Sequence, residues 1–283
     1  MGRMRGSIDI GVMTPDDLER AVFWAASEGW NPGLTDAPAF RAADPDGFLM
    51  GFVDDEPVTA ISVVRYGPSF GFLGFYICAP TARGKGYGWA TWKAGMARLG
   101  DRVVGLDGVV AQQANYRKSG FVLAHRNVRY GGEVSVAAPA DPRLQPVTAA
   151  LVPAIIEYDR RFFPAPREGF MQAWLRPDRR QPIAFVDKGV VRGYGVIRAC
   201  RQGHKIGPLF ADTAEIADIL FRALAAAMPG LIFLDPPEPN AAAVALARNH
   251  GLTPVFETAR MYRGAAPTLP IDQTFGITTF ELG

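Results

Sequence analysis

A stretch beginning at Phe52 is written twice in this chain. Phe52-Val53-Asp54 returns as Phe185-Val186-Asp187, Val58 as Val191, Arg65 as Arg198 and Gly74 as Gly207, each pair 133 positions apart. A constant offset that survives across turns means that one supersecondary pattern has been used twice. The echo continues with small slips: Leu106-Asp107 against Leu234-Asp235, Gly120-Phe121 against Gly251-Leu252, and Arg129-Tyr130 against Arg260-Met261-Tyr262. Between the copies, residues 132–146 carry Pro139, Pro142 and Pro146 among alanines, the composition of a linker. We therefore expect units over 1–137 and 143–283 joined by 138–142. A chain of 283 residues is long enough for two ordinary domains.

Within the first copy the periodicities alternate. Ser7 to Met13 reads as a short strand. Thr14-Pro15-Asp16-Asp17 opens a helix with a hydroxyl N-cap, proline at the first helical position and carboxylates in the first turn, running to about Ser27. Glu28-Gly29-Trp30-Asn31-Pro32-Gly33 breaks it, and a short helix covers Ala37 to Ala43. Phe48–Val53, Pro57–Tyr66 and Gly71–Cys78 read as antiparallel strands. After a glycine-rich loop and its helix come a strand over Val103–Asp107, a helix over Gln112–Ser119 closed by Gly120, and a strand over Phe121–Tyr130. The tail from Thr274 to Leu282 alternates and predicts one more strand. The fold class is α+β, a mixed, mainly antiparallel sheet flanked by helices.

The chemistry concentrates where the strand Leu73–Cys78 runs into Arg83-Gly84-Lys85-Gly86-Tyr87-Gly88 and a helix follows at once. Glycines at a nascent helix N-terminus leave backbone N–H groups uncovered, an arrangement that holds phosphate oxygens. Glycine turns also occur for packing alone. This one lacks the Gly-Lys-Ser/Thr of a Walker loop and the spacing of a dinucleotide fingerprint. The form Arg-x-x-Gly-x-Gly, here Arg83, Gly86 and Gly88, resembles the pyrophosphate loop of the GNAT superfamily of acyl-CoA-dependent N-acyltransferases. The order of elements in the first copy matches that fold.

The resemblance implies a tandem pair of GNAT-like domains and acetyl-CoA as acyl donor, held by Ile77 and Cys78 of the strand and by Arg83, Gly84, Lys85, Gly86, Tyr87 and Gly88 of the loop. It implies an acceptor amine on a small molecule or peptide. It also implies a general acid at Tyr116, four residues before Gly120-Phe121. The second copy has no glycine in Ala211-Asp212-Thr213-Ala214-Glu215 and has Ala247 in place of the tyrosine, so we expect it to have lost CoA binding and to shape the acceptor site. The family asparagine seven residues before the tyrosine is Val109 here, with Gln112 or Asn115 as substitutes, while the second copy keeps Asn240. Many relatives carry a glutamate on the strand before the loop, and Gly74, Phe75, Tyr76 and Ile77 supply none. The base is left open among Asp107, Glu28, Asp159, Glu168 and a water chain. Acceptor contacts are expected from Trp30, Asn31, Tyr76, Asp107, Tyr158 and Arg167; the Tyr158–Glu168 segment equally suits an interdomain contact.

Composition narrows the rest. A net charge of +2 from 30 basic and 28 acidic residues argues against a nucleic-acid partner. Cys78 and Cys200 sit in apolar runs without partners at metal spacing, and His125, His204 and His250 are scattered, so no metal is expected. No apolar run of about 20 residues argues for a membrane span, and the N-terminus lacks a signal-peptide core. The expectation is a cytoplasmic protein with reduced cysteines, as a monomer or homodimer.

Overall fold

A computed structural model describes residues 7–283. The first half runs β1 (Asp9–Val12), α1 (Pro15–Ser27), α2 (Asp36–Ala43), β2 (Phe48–Val53), β3 (Glu56–Tyr66), β4 (Phe70–Cys78), α3 (Tyr87–Leu99), β5 (Val103–Val109), α4 (Gln113–Lys118) and β6 (Val122–Val134). The second half repeats the order: β7 (Leu144–Pro146), α5 (Val152–Asp159), α6 (Glu168–Trp174), β8 (Gln181–Asp187), β9 (Val190–Ala199), β10 (His204–Ala211), α7 (Ala214–Ala227), β11 (Gly230–Leu234), α8 (Ala241–Asn249) and β12 (Thr253–Arg263). A final strand, β13 (Thr274–Gly276), has no counterpart in the first half. α1 opens as its sequence predicts: Thr14 Oγ1 accepts from the Asp17 N–H, and the Asp17 carboxylate accepts from the Thr14 N–H.

The strands of both halves form one 13-stranded sheet among the described residues, in the order β1-β2-β3-β4-β5-β12-β6-β11-β10-β9-β8-β7, with β13 on β10. The pairing is antiparallel except for β4 with β5 and β10 with β11. The last strands are exchanged. β12 of the second half lies on β5 from Val109↔Thr258 to Val104↔Arg263, and β6 of the first half lies on β11 from Tyr130↔Leu234 to Val134↔Gly230. β12 and β6 then pair with each other and close the seam. Neither half keeps a complete sheet of its own.

Aromatic and aliphatic side chains fill three clusters. One, around Phe40, Phe75, Phe170 and Trp174, is built from α1, α2 and β4 of the first half and α5 and α6 of the second. A second lies under α7 and α8, and a third packs Trp92, Leu99, Tyr116 and Phe121 beneath α3 and α4. No described helix is long and apolar enough to cross a membrane.

The tail departs from expectation. β13 ends at Gly276, and Ile277 to Gly283 is buried but not a strand. The chain turns instead, with the Gly283 N–H donating to the Thr279 carbonyl at 3.2 Å and the Leu282 N–H to Thr279 Oγ1 at 2.9 Å. Alternating apolar residues are equally at home in a segment wedged between two halves, where both sides face a core.

Candidate active site

β4 and β5 are parallel neighbours from Phe70↔Val103 to Leu73↔Leu106, and there the ladder stops. β4 stays with β3, reaching Thr59↔Cys78, while β5 stays with β12. Between Ser62↔Gly74 and Ala60↔Ile77, β4 advances by one more residue than β3, a bulge at which Phe75 takes φ +45°. The two strands therefore splay and leave facing backbone edges without a ladder partner. A cavity of about 580 Å³ fills the gap.

The cavity's outer end is the glycine loop. A one-turn helix over Pro80–Ala82 leads into it, and Gly86, at φ +83°, is the N-cap of α3 with no side-chain cap. A side chain with an acceptor oxygen would ordinarily satisfy the first N–H groups of a helix. Here nothing lies within 4 Å of where a Cβ of Gly84 or Gly86 would sit. The result is an open, electropositive helix end. Arg83 ties the loop down: Nε donates to the Cys78 carbonyl at 2.9 Å and Nη2 to Glu28 Oε1 at 2.6 Å. Lys85 is exposed at the loop tip, and Trp89 stands 57% exposed on the first turn of α3.

The inner end holds two phenols. Tyr116 is 7% exposed, stacks on Trp92 at 5.8 Å, and lies against the backbone at Gly108, where a Cβ would come within 2.2 Å of its ring. Tyr76 meets the edge of Trp92 at 5.1 Å. Burial pushes Tyr116 up to about 12, with a smaller contribution from Tyr76, and pushes Tyr76 up to about 12 as well. Both are protonated across the neutral range. Burial likewise raises the Cys78 thiol on the same wall.

The second half supplies the remaining wall through Phe256 and Thr258 of β12 and Phe280 and Glu281 of the tail. Phe256 and Phe280 pack at 5.9 Å, and the Arg129 guanidinium sits 4.6 Å from the Phe280 ring centre. Trp30 lines the cavity as well. Its carbonyl accepts from Arg129 Nη1 at 2.6 Å, and Lys205 Nζ donates to the Asn31 carbonyl at 2.7 Å. Arg129 is itself paired with Asp235 through two hydrogen bonds of 2.7 and 2.8 Å, all deeply buried.

Of the residues singled out in the sequence, Trp30, Tyr76, Ile77, Cys78, Arg83, Gly84, Gly86, Gly88, Asp107, Gln112 and Tyr116 converge on this cavity. Lys85 and Tyr87 flank it without lining it, and Asn115 bonds to Gln112 Oε1 at 2.7 Å. Asn31, at φ +49°, exchanges hydrogen bonds with the Gln202 backbone and clamps the halves together. Tyr158 and Arg167 lie outside the lining of this cavity. The Tyr158 hydroxyl reaches Asp212 Oδ1 at 2.9 Å, and Arg167 is held by Asp159 at 2.7 and 2.8 Å and bonds to Thr278 Oγ1 at 3.1 Å. An arginine so buried and paired anchors the tail instead. The proposed bases are engaged too: Asp159 by Arg167, Glu168 by Arg160, Glu28 by Arg83, and Asp107 by Arg260 at 2.6 and 2.9 Å and Asn127 at 2.7 Å. Sequence reasoning missed Phe256, Phe280 and Glu281. The available signal was a carboxylate set between Phe280 and Leu282 in an apolar tail.

Comparison with known proteins gives the same picture for both halves. Residues 16–121 match the acetyltransferase (GNAT) family model, and residues 155–276 match an acetyltransferase (GNAT) domain model. The chain is 33% identical to the holothin acyltransferase of Pseudoalteromonas sp. (strain SANK 73390) over 262 residues, 92% of this chain and 89% of that one. Its fold is similar to that of a proposed acetyltransferase from Pyrococcus horikoshii, with a TM-score of 0.83, 21% identity, and coverage of 100% of this chain and 98% of that one. It is also similar to a tandem GNAT protein from the clavulanic acid biosynthesis pathway, with a TM-score of 0.63, 14% identity, and coverage of 93% and 100%.

Proposed function

The chain belongs to the GNAT family of acetyltransferases, and on that premise we propose that its first half moves an acetyl group from acetyl-CoA to the primary amine of a small molecule. One observation carries the reading: a continuous opening runs from the uncapped N-terminus of α3, between the splayed edges of β4 and β5, to Tyr116. The residues present fit the donor. Uncovered N–H groups at Gly86 and beyond suit a pyrophosphate, and unpaired strand edges at Ile77–Cys78 and Gly108–Val109 suit the amides of a pantetheine arm. Domain roles follow: residues 1–137 carry the transfer, and residues 143–283 shape the acceptor end.

In the reaction the amine lone pair attacks the thioester carbonyl carbon, the C–S bond breaks, and the departing sulfur takes a proton from the Tyr116 hydroxyl. A phenol near 12 is a weak donor to an ordinary thiolate. In this cavity the sulfur is desolvated as well, and Cys78 on the wall shows that burial here raises a thiol. The acceptor end, walled by Trp30, Phe256 and Phe280, supports a flat, apolar body bearing the amine in preference to an extended peptide. Free cysteines at Cys78 and Cys200 fit the cytoplasmic location that belongs to the same reading.

The test is a thiol-release assay with acetyl-CoA over a panel of amines that includes holothin, the compound named for the bacterial relative, alongside calorimetric titration of acetyl-CoA. One site per chain is expected. Tyr116→Phe is expected to keep acetyl-CoA affinity within a few-fold and to lower kcat by about 10²-fold or more; undiminished kcat would remove Tyr116 from the mechanism.

A further inference from the structure

An attacking amine must shed a proton, so the cavity needs an acceptor for it. Among the described residues three carboxylates line the wall: Glu28, Asp107 and Glu281. The first is held by Arg83, the second by Arg260 and Asn127. Glu281 stands apart. It is 2% exposed, yet neither carboxylate oxygen has a hydrogen-bond partner among the described residues. Buried polar atoms are almost always paired, and leaving a charged one unpaired is costly, so an exception at the wall of a cavity calls for a function.

The charges around Glu281 bond to other groups, although Arg198 Nη2 has no partner among the described residues. Lys205 of β10 donates to the Trp30 and Asn31 carbonyls, Arg129 of β6 to Asp235 and the Trp30 carbonyl, and Arg198 of β9 to Asp36 at the start of α2 and to the Gly207 carbonyl. The backbone at Glu281 is fixed with the same care. Ser62 Oγ donates to the Glu281 carbonyl at 3.4 Å, the Tyr66 hydroxyl to the Leu282 carbonyl at 3.2 Å, and Arg167 to Thr278 and to the Gly283 carbonyl. A Cβ at Gly74 would stand 2.2 Å from the Glu281 carbonyl oxygen, so β4 yields its side chain to let the tail in.

We propose that Glu281, delivered by the tail of the second half, is the general base of the transfer carried out in the first. Its carboxylate accepts a hydrogen bond from the acceptor amine. As nitrogen bonds to the carbonyl carbon, one N–H proton passes to a Glu281 oxygen. The C–S bond then breaks, and the sulfur leaves with the Tyr116 proton. Exchange with solvent moves the proton from Glu281 back to Tyr116, so amine and acetyl-CoA become amide and free CoA with nothing left over. Burial raises Glu281 from its ordinary value of 4.5; Lys205, Arg129 and Arg198 oppose the rise and Asp36 adds to it. A raised carboxylate is the better base near neutral pH. This inference rests on the acetyl-transfer reading.

The experiment compares the full-length chain with Glu281→Gln, using acetyl-CoA with holothin and with benzylamine. The variant is expected to lose about 10²-fold in kcat/KM for the amine and the low-pH limb of the rate profile, with acetyl-CoA affinity unchanged within a few-fold. A second readout needs no turnover. A carboxyl raised on folding contributes stability that is fully present below 4.5 and lost as pH rises through its folded value, so the variant is expected to melt higher than the parent at pH 7 to 8, with the gain shrinking toward pH 4.5. Unchanged amine kinetics in an active parent, or a variant that melts lower at neutral pH and loses acetyl-CoA binding with its turnover, would overturn the assignment of Glu281. A parent that releases no thiol with any amine would overturn the transfer reading itself, and the base with it.

Discussion

The two halves share a gap and treat it in opposite ways. In the first, β4 and β5 part beyond Leu73↔Leu106 and the gap stays open as the cavity. In the second, β10 and β11 part at the matching place beyond Ile206↔Leu234, and the chain fills it. β13 pairs with β10 at Leu209↔Gly276 and Phe210↔Thr274, and the Ile277 N–H donates to the Asp235 carbonyl at 3.0 Å. Asn240 holds the plug through its side-chain amide, which donates to the carbonyls of Ile271, Asp272 and Thr274 at 3.0 to 3.1 Å. The helix ends differ in the same sense. α3 begins at Gly86 with no side-chain cap, whereas Thr213 caps α7 by accepting from the Ile216 N–H. A splayed parallel pair thus makes a slot lined with unpaired backbone groups, and either a substrate or the protein's own chain satisfies them. The plug has a second consequence: having filled one slot, it runs on to wall the other with Phe280 and Glu281.

Giving the open helix end a charge should have the most severe consequence. Gly86→Asp is expected to weaken acetyl-CoA binding by about 10²-fold or more, because a carboxylate would occupy the place from which N–H groups face an anion. The position has room, with nothing within 4 Å of the new Cβ, and aspartate tolerates positive φ better than most residues. Gly86→Asn is the control, with the same backbone demand and no charge, and is expected to retain most of the affinity. Titration of both variants checks this; equal losses would show that glycine's conformation, not the open dipole, is what matters.

A smaller effect is expected where the tail crosses into the first half. At Gly74→Ala the added methyl would meet the Glu281 carbonyl oxygen at 2.2 Å, so the tail must shift. The expected result is a loss of about tenfold in kcat/KM for the amine with little change for acetyl-CoA, since a displacement of order 1 Å suffices to blunt a positioned group. Gly207 is its repeat partner, and a Cβ there would come within 2.5 Å of the Thr278 carbonyl oxygen. The repeated glycine is the mark of one tail pressed between two copies.

How much of this was legible follows from where the interactions lie. The repeat, the helix caps and the glycine loop are local patterns, and the first half forms the elements its pattern predicts. The exchange of β6 and β12 is not local. Both strands end the same supersecondary unit, with Arg129-Tyr130 echoing Arg260-Met261-Tyr262, and nothing in either names its neighbour. The partners of Arg129 and Arg260 make the point: Asp235 and Asp107 are the repeat's own matched aspartates, each reached across the exchange. Tyr158 and Arg167 look like surface recognition residues in sequence, and only tertiary burial turns them into anchors. Glu281 carried a signal of composition and none of spacing, because the groups it faces come from across the whole chain.

Two features of the second half would each oppose a nucleotide there, and one mild substitution separates them. If capping by Thr213 were the main obstacle, removing it would expose the N-terminus of α7 and recover some anion binding. If the plug is the obstacle, removal would only cost stability. Thr213→Ala deletes the hydroxyl that accepts from the Ile216 N–H at 3.3 Å, and losing such a cap costs about 1 kcal/mol. The slot behind that helix end remains occupied by β13 and pinned by Asn240. We therefore expect the variant to melt a few degrees lower, roughly 2–4 °C for a chain of this size, and still to bind a single acetyl-CoA per chain. A second site in the titration would mean that the cap, not the tail, keeps the second half closed. It would also mean that the anion-binding end of this fold works without the strand gap beneath it. A single site with lowered stability would locate the difference between the halves in the residues that fill the gap.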